Sequence, residues 1–315
     1  MTLKCSVVIP LGGKGIIVDP KKLSARELEK LSRLYATFLA PYVGPGKDVP
    51  APDVNTNGQI MAWMVDEYAK CVGQWTPGMI TGKPLSISAG RISATGYGAY
   101  YVLEEYLRSL DNLQKTIAVQ GAGNAAQYFI EKAVAAAILV AVSDSRGAVY
   151  SESGIDTKAL FDCKGSGSVL DCPISSLSQD VLLTLDVDIL VPAALEDQIR
   201  ADNVADIRSG LIVEIANGPT SKDASDFLFK RSVILPDVLA NAVTVSYFEQ
   251  VQNDMNYYRS ESEVDKKMQD IMLKATREVV AMAQEKNISM RMASYVLSMD
   301  RICSAMKVRA VRKKS

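Results

Sequence analysis

One stretch limits what this chain can become: Thr116-Ile117-Ala118-Val119-Gln120-Gly121-Ala122-Gly123-Asn124-Ala125-Ala126. A run of β-formers feeds a glycine turn, and the turn opens an alanine-rich helix that continues through Tyr128, Phe129, Ile130 and Ala133. This is the order that a dinucleotide-binding β-α-β unit requires. Gly121 can turn tightly, Gly123 lets the backbone approach a pyrophosphate, and the N–H groups at the helix start face phosphate charge. Ala126 is the small residue that lets helix pack on sheet. A second strand, Ile138 to Val142, ends at Ser143-Asp144, where a carboxylate can accept hydrogen bonds from an adenosine ribose. A glycine turn alone also serves ordinary structure. Strand, turn, helix, strand and terminal acid in succession favour cofactor binding.

The alternation continues beyond this unit. Leu185 to Val191 stops at Pro192-Ala193-Ala194, Leu211 to Ala216 stops at Asn217-Gly218-Pro219-Thr220, and Val233 to Leu235 stops at Pro236-Asp237. Apolar strands that each end in a small or polar loop predict a parallel sheet, with ligands at the carboxyl ends. Ala193, Asn217 and Asn241 then fall near the cofactor. Ahead of the unit, Ser24 to Glu27 is a capping box. It starts a helix whose apolar side is expected to be Leu28, Leu31, Leu34 and Phe38. A helix over Ile60–Tyr68 places Trp63 and Met64 in the core. Thr81 to Pro84 reads as a hinge. Gly90 to Gly98 opens another helix, whose small residues and Thr95 either face a ligand or allow close helix packing. Two helices finish the chain, one through Val264 to Val279 and one after Asn287.

Composition narrows the chemistry. The 315 residues include no histidine. That excludes histidine-based triads, metal sites and general bases, and leaves proton transfer to Lys, Asp, Glu, Tyr or Cys. A net charge of −1 gives no reason to expect nucleic acid or an anionic membrane surface. Cys5, Cys71, Cys163, Cys172 and Cys303 are scattered, and none pairs at a zinc-like spacing. The expectation is reduced thiols, no metal site, and a cytoplasmic protein. Two stretches carry candidate proton-transfer groups. Lys14 sits in Leu11-Gly12-Gly13-Lys14-Gly15, where glycines let other groups crowd the amine and Lys4 offers a second cation. A solvated surface turn is the equal alternative. Asp53 follows Pro50-Ala51-Pro52, which stiffens the approach to its carboxylate. That suits proton transfer, and it also suits helix capping, the commoner use of an aspartate before a helix.

With these stretches in view, the chain resembles the glutamate dehydrogenases of the Glu/Leu/Phe/Val dehydrogenase superfamily, in particular the archaeal and bacterial hexameric type. Met1-Thr2-Leu3-Lys4, Gly12 to Gly15, Pro50 to Val54, Gly90-Arg91 to Thr95-Gly96, Gly121 to Asn124, Ala216 to Thr220 and Val245-Ser246-Tyr247-Phe248-Glu249 carry the resemblance. It implies a Rossmann-like doubly wound α/β cofactor domain beside an α/β substrate domain. It also implies reversible oxidative deamination of glutamate to 2-oxoglutarate and ammonia, with hydride passing to NAD, or to NADP. Lys14 matches the lysine that activates water, Asp53 the proton-transferring acid, Lys4 the lysine that binds the α-carboxylate, and Ser246 the serine at the side-chain carboxylate. Thr95, Gly121, Gly123, Asn124, Asp144, Ser145, Asn217 and Asn241 form the implied cofactor set. The implied domains are 1–82 for substrate, 83–285 for the dinucleotide, and 286–315 as a helix returning to the substrate domain. The implied assembly is a homo-oligomer.

The chain departs from the family pattern in three places. Members carry a longer part before Met1, more glycines around the equivalent of Lys14, and two further glycines after Ala242. These differences predict a looser first lobe over 1–81 and weak turnover. They keep open an alternative: an impaired or non-catalytic relative that binds nucleotide or pairs with a full-length subunit.

Overall fold

The computed structural model describes residues 23–44, 47–51, 56–80, 82, 93–108, 115–165, 167–241 and 260–311. They fall into two compact units. The first holds the described residues of 23–82 and 260–267, the second those of 93–241 and 268–311.

In the first unit, helix α1 spans Ala25–Leu39 and helix α2 spans Gly58–Val72. The capping box at Ser24 forms: its hydroxyl accepts from the Glu27 N–H at 3.3 Å, and the Glu27 carboxylate accepts from the Ser24 N–H at 2.8 Å. Asn57 caps α2 by accepting from the Ile60 N–H at 3.1 Å, and Gly73 ends that helix in the left-handed region. The buried side of α1 differs from the expectation. Ser32 and Ala36 are buried, whereas Leu34 and Phe38 face outward. Small residues four apart let α2 approach closely, and the Ser32 hydroxyl is satisfied by the Leu28 carbonyl at 2.7 Å. Ala36 joins Ile60, Met61, Met64, Val65 and Tyr68 in the core, and Trp63 packs on its margin.

The second unit is a seven-stranded sheet in the order β4-β3-β2-β1-β5-β6-β7. The strands are β1 Lys115–Gln120, β2 Ala137–Ser143, β3 Ala148–Tyr150, β4 Ser175–Leu177, β5 Ile189–Pro192, β6 Leu211–Val213 and β7 Val233–Leu235. The five strands β2, β1, β5, β6 and β7 are parallel, as their apolar runs predict. The sheet as a whole is mixed, because β3 and β4 join its edge antiparallel. Only Asp144 to Gly147 separates β2 from β3, and that turn, closed by Asp144 N–H to Gly147 O at 2.8 Å, is too short for a crossover.

Two strands are shorter than their apolar runs. β5 begins at Ile189, because the Asp188 carboxylate turns aside to accept from the Thr116 N–H and hydroxyl at 2.7 and 2.9 Å. β6 ends at Val213. The next backbone groups remain satisfied, with Glu214 N–H bonding Leu235 O at 3.0 Å and Ile215 N–H bonding Pro192 O at 3.1 Å.

Among the described residues, the remaining α-helices in chain order are α3 Ala94–Leu107, α4 Asn124–Ala133, α5 Thr157–Lys164, α6 Gln179–Leu183, α7 Lys222–Leu228, α8 Asp237–Ala240, α9 Glu261–Lys286 and α10 Met290–Val311. Leu182 and Leu183 of α6 and Ala224 and Leu228 of α7 pack with Ala118, Leu190 and Ile212 of the strands in one buried cluster. The last helix, α10, which the sequence reading returns to the substrate lobe, contacts α8 and β7 and clusters with this second unit.

Candidate dinucleotide-binding site

The parallel sheet diverges between β1 and β5: the chain runs outward from β1 to β2 on one side and from β5 to β7 on the other. Crevices at such a point, beyond the carboxyl ends of the strands, hold ligands in open α/β sheets. Gly121, Gly123, Asn124, Asp144, Ser145, Asn217 and Asn241 lie at or just beyond those ends.

Gly121 leaves β1 with φ +106°, a conformation that L side chains rarely adopt. Its N–H donates to Ser143 Oγ of β2 at 3.1 Å, and Ala193 N–H beyond β5 donates to Gln120 O at 2.8 Å. The glycine turn is therefore tied to both neighbouring strand ends. Gly123 then serves as N-cap of α4 with no side-chain cap, and a Cβ built on it meets no atom of the described residues within 4 Å. Asn124 begins the helix and is exposed. A helix start whose cap residue carries no side chain fits a pyrophosphate, which the N–H groups and the helix dipole favour.

Asp144 ends β2. Its Oδ1 accepts from the Arg146 N–H at 2.8 Å and its Oδ2 from the Val169 N–H at 2.7 Å. Burial alone would raise its pKa. The N–H donors outweigh that and hold the carboxyl below its ordinary range, so it is ionised at neutral pH. Ser145, next along, is exposed. Asn217 and Asn241 come together: Asn241 Nδ2 donates to Asn217 Oδ1 at 3.2 Å and to Ile215 O at 3.1 Å. Thr95 lies in the first turn of α3, a helix that packs on both α4 and α8. Lys4, Lys14, Asp53 and Ser246 lie outside the described residues.

Sequence reasoning passed over several groups at these strand ends. Ser143 bonds the glycine turn. A short 3₁₀ helix, Val169–Asp171, docks beside Asp144, and its Asp171 carboxylate meets Arg146 Nη1 at 3.3 Å. The spacing Ser168-Val169-Leu170-Asp171 is itself a capping-box signature and was available in the sequence. Glu214, which is buried, and the part-buried Asp237 and Arg291 form an ion cluster, for which sequence spacing gave no signal.

Comparison with known proteins gives this geometry a family. The model of the Glutamate/Leucine/Phenylalanine/Valine dehydrogenase family matches residues 88–310, and that of the Glu/Leu/Phe/Val dehydrogenase dimerisation domain matches residues 1–70. A cryptic catabolic NAD-specific glutamate dehydrogenase of Bacillus subtilis is 44% identical over 321 residues, covering 98% of this chain and 75% of that protein. An NAD-specific glutamate dehydrogenase of Clostridioides difficile is 45% identical over 327 residues, covering 98% of this chain and 78% of the relative. The crystal structure of the hetero-hexameric glutamate dehydrogenase of Thermus thermophilus superposes with a TM-score of 0.83 at 29% identity, over 93% of this chain and 72% of that one. The fold, the strand-end site and these matches across nearly the whole chain make it a member of the Glu/Leu/Phe/Val dehydrogenase family.

Proposed function

We infer that this chain is an NAD-dependent oxidoreductase that catalyses the reversible oxidative deamination of L-glutamate to 2-oxoglutarate and ammonia. The observation that carries this reading is the uncapped start of α4 beside an ionised Asp144, in a chain similar along 98% of its length to NAD-specific glutamate dehydrogenases. NAD, when bound, takes up the hydride released from the substrate α-carbon. The protein's residues do the rest. Gly121, Gly123 and Asn124 cradle the pyrophosphate, Asp144 and Ser145 hold the adenosine ribose, and Thr95, Asn217 and Asn241 orient the nicotinamide end. Lys4 and Ser246 bind the two substrate carboxylates. Lys14 activates the water that attacks the imine, and Asp53 moves the proton. The assignments of Lys4, Lys14, Asp53 and Ser246 rest on the matching sequence motifs. The direct test is to follow reduced-cofactor absorbance with glutamate, with leucine and without substrate. Turnover with leucine but not glutamate would overturn the substrate assignment.

Asp144 carries the preference for NAD. An ionised carboxylate at the ribose repels a 2′-phosphate, and Arg146, the nearby cation, is engaged by Asp171. Asp144→Ser is expected to raise the NADP-to-NAD ratio of kcat/KM on the order of tenfold or more, the scale of removing one close like charge. An unchanged ratio would place the 2′ discrimination elsewhere.

The working form is a homo-oligomer in the cytoplasm. Support for assembly comes from α1 and the turn after it, where Leu34, Phe38 and Tyr42 stand 58%, 70% and 63% exposed, inside the segment matched by the dimerisation-domain model. An apolar stripe of this kind marks a protein contact, and a second copy of the chain is its proposed occupant. Phe38→Glu is expected to shift the mass seen by light scattering to a smaller species, with helical circular dichroism unchanged. An unaltered mass would remove α1 from the interface. Among the described residues, no helix is long and apolar enough to cross a membrane.

A further inference from the structure

The loops proposed to hold the nicotinamide end are fastened from below by three charged side chains. Glu214, fully buried at the end of β6, accepts from the Asp237 N–H at 2.9 Å and from Arg291 Nη2. Arg291, in the first turn of α10, also donates Nη1 to Asp237 Oδ1 at 2.7 Å. The other Asp237 oxygen accepts from the Gly218 N–H at 3.0 Å. One guanidinium therefore joins the ends of β6 and β7, and Asp237 passes the constraint to the backbone next to Asn217. The same Asp237 starts α8, whose last turn ends at Asn241 with Asn241 N–H on Asp237 O at 2.9 Å. Asn241 in turn fixes the Asn217 amide at 3.2 Å.

Holding a fully buried Glu214 and two part-buried partners charged is costly, and an apolar trio of similar volume would stabilise as well or better. Burial pushes the Glu214 carboxyl up, and the positive Arg291 pulls it back. For Arg291 burial acts downward, but the two carboxylates outweigh it and keep the guanidinium charged. What the ions provide that an apolar trio would not is direction. The planar fork reaches two carboxylates at fixed angles.

We propose that Arg291 is a positioning residue for dinucleotide binding, which through Glu214 and Asp237 sets the loop of Asn217 and the helix end of Asn241. This rests on the reading that these strand ends hold NAD, and it extends the site to the last helix of the chain. Lysine at 291 keeps the charge but cannot grip both carboxylates. Arg291→Lys is expected to weaken NADH binding about tenfold by fluorescence titration and to raise the KM for NAD similarly. Turnover at saturating cofactor should stay within about threefold, because the reacting groups are untouched. Amide hydrogen exchange over 214–220 should accelerate about tenfold, while exchange in β1 and β2 stays as in the wild type.

The double variant Glu214→Gln with Arg291→Met removes the fully buried charge together with its cation and leaves only Asp237, which is part exposed and keeps the Gly218 N–H, so it guards against a misfolded single variant. It should show the same local loosening and the same loss of NADH affinity. Unchanged exchange over 214–220, or a lowered melting temperature with NADH affinity retained, would overturn the proposal. Failure of the wild type to bind NADH would instead sink the cofactor reading, and the exchange measurement separates the two.

Discussion

Replacing Lys14 with alanine is expected to lower glutamate turnover by about a thousandfold, within the range usual for loss of a general acid–base group, while NADH binds as before. The argument begins with what the chain lacks. With no histidine among 315 residues, no side chain has an ordinary pKa near neutrality. Proton transfer at pH 7 to 8 needs a group moved there by its surroundings, and an amine crowded by another cation moves downward into that range. Lys14 stands between glycines in the motif that matches the family's water-activating lysine, and far in sequence from the dinucleotide unit. Its loss should therefore fall on kcat and spare cofactor affinity. Asp53→Asn keeps shape, removes the ionisable group, and should behave alike. Pre-steady-state and steady-state rates, read beside a fluorescence titration, make the check. A kcat for Lys14→Ala within tenfold of wild type would return that lysine to the surface-turn reading.

The second large effect concerns stability. Gly96 of α3 lies so close to α4 that an added Cβ would sit 2.4 Å from Ala125 O and 2.6 Å from Phe129 N. Both are main-chain atoms, so no side-chain rotation relieves the overlap and the helices must part. Alanine gains about 1 kcal/mol of helix propensity over glycine, against an overpacking cost of about 3 kcal/mol. Gly96→Ala should therefore lose about 2 kcal/mol net, which lowers the melting temperature by roughly 4–8 °C for a domain of this size. Gly210 is the control, since a Cβ there meets nothing among the described residues within 4 Å and its φ is not positive. Gly210→Ala should melt close to wild type. Equal melting of both variants would show that α3 and α4 separate at little cost.

Much of the cofactor unit was legible in the sequence, for a local reason. β1, its glycine turn, α4, β2 and the acid at its end follow one another within thirty residues, and each is specified by its own residue types. The parallel strands were legible as apolar runs, although their ends were not. β5 is shortened by the Asp188 contact with Thr116, which joins residues distant in sequence. The outward turn of Leu34 and Phe38 was hidden for a similar reason. Periodicity finds an apolar stripe, but α2 selects the side where Ser32 and Ala36 allow a close approach. The Glu214–Arg291–Asp237 cluster joins three separate elements, and nothing in the spacing of those residues announces it. The grouping of Gly121, Gly123, Asn124, Asp144 and Ser145 could be read from one continuous stretch. The pairing of Asn217 with Asn241 needed the topology of β6 and β7.

Gly121 has a consequence for how this sequence can drift. A side chain there would meet Ala193 C and O at 3.1 Å and Ala194 N at 3.2 Å, all of them backbone, at a φ of +106°. Crowding between two side chains can be relieved by trimming the partner, which is how second-site changes rescue a first. Crowding against a neighbouring main chain leaves no partner to trim, and a left-handed backbone angle adds a strain that no distant change removes. Position 121 is thus without a compensating neighbour. Lineages descending from this chain can repaint most of the cofactor unit, but they are expected to keep this glycine.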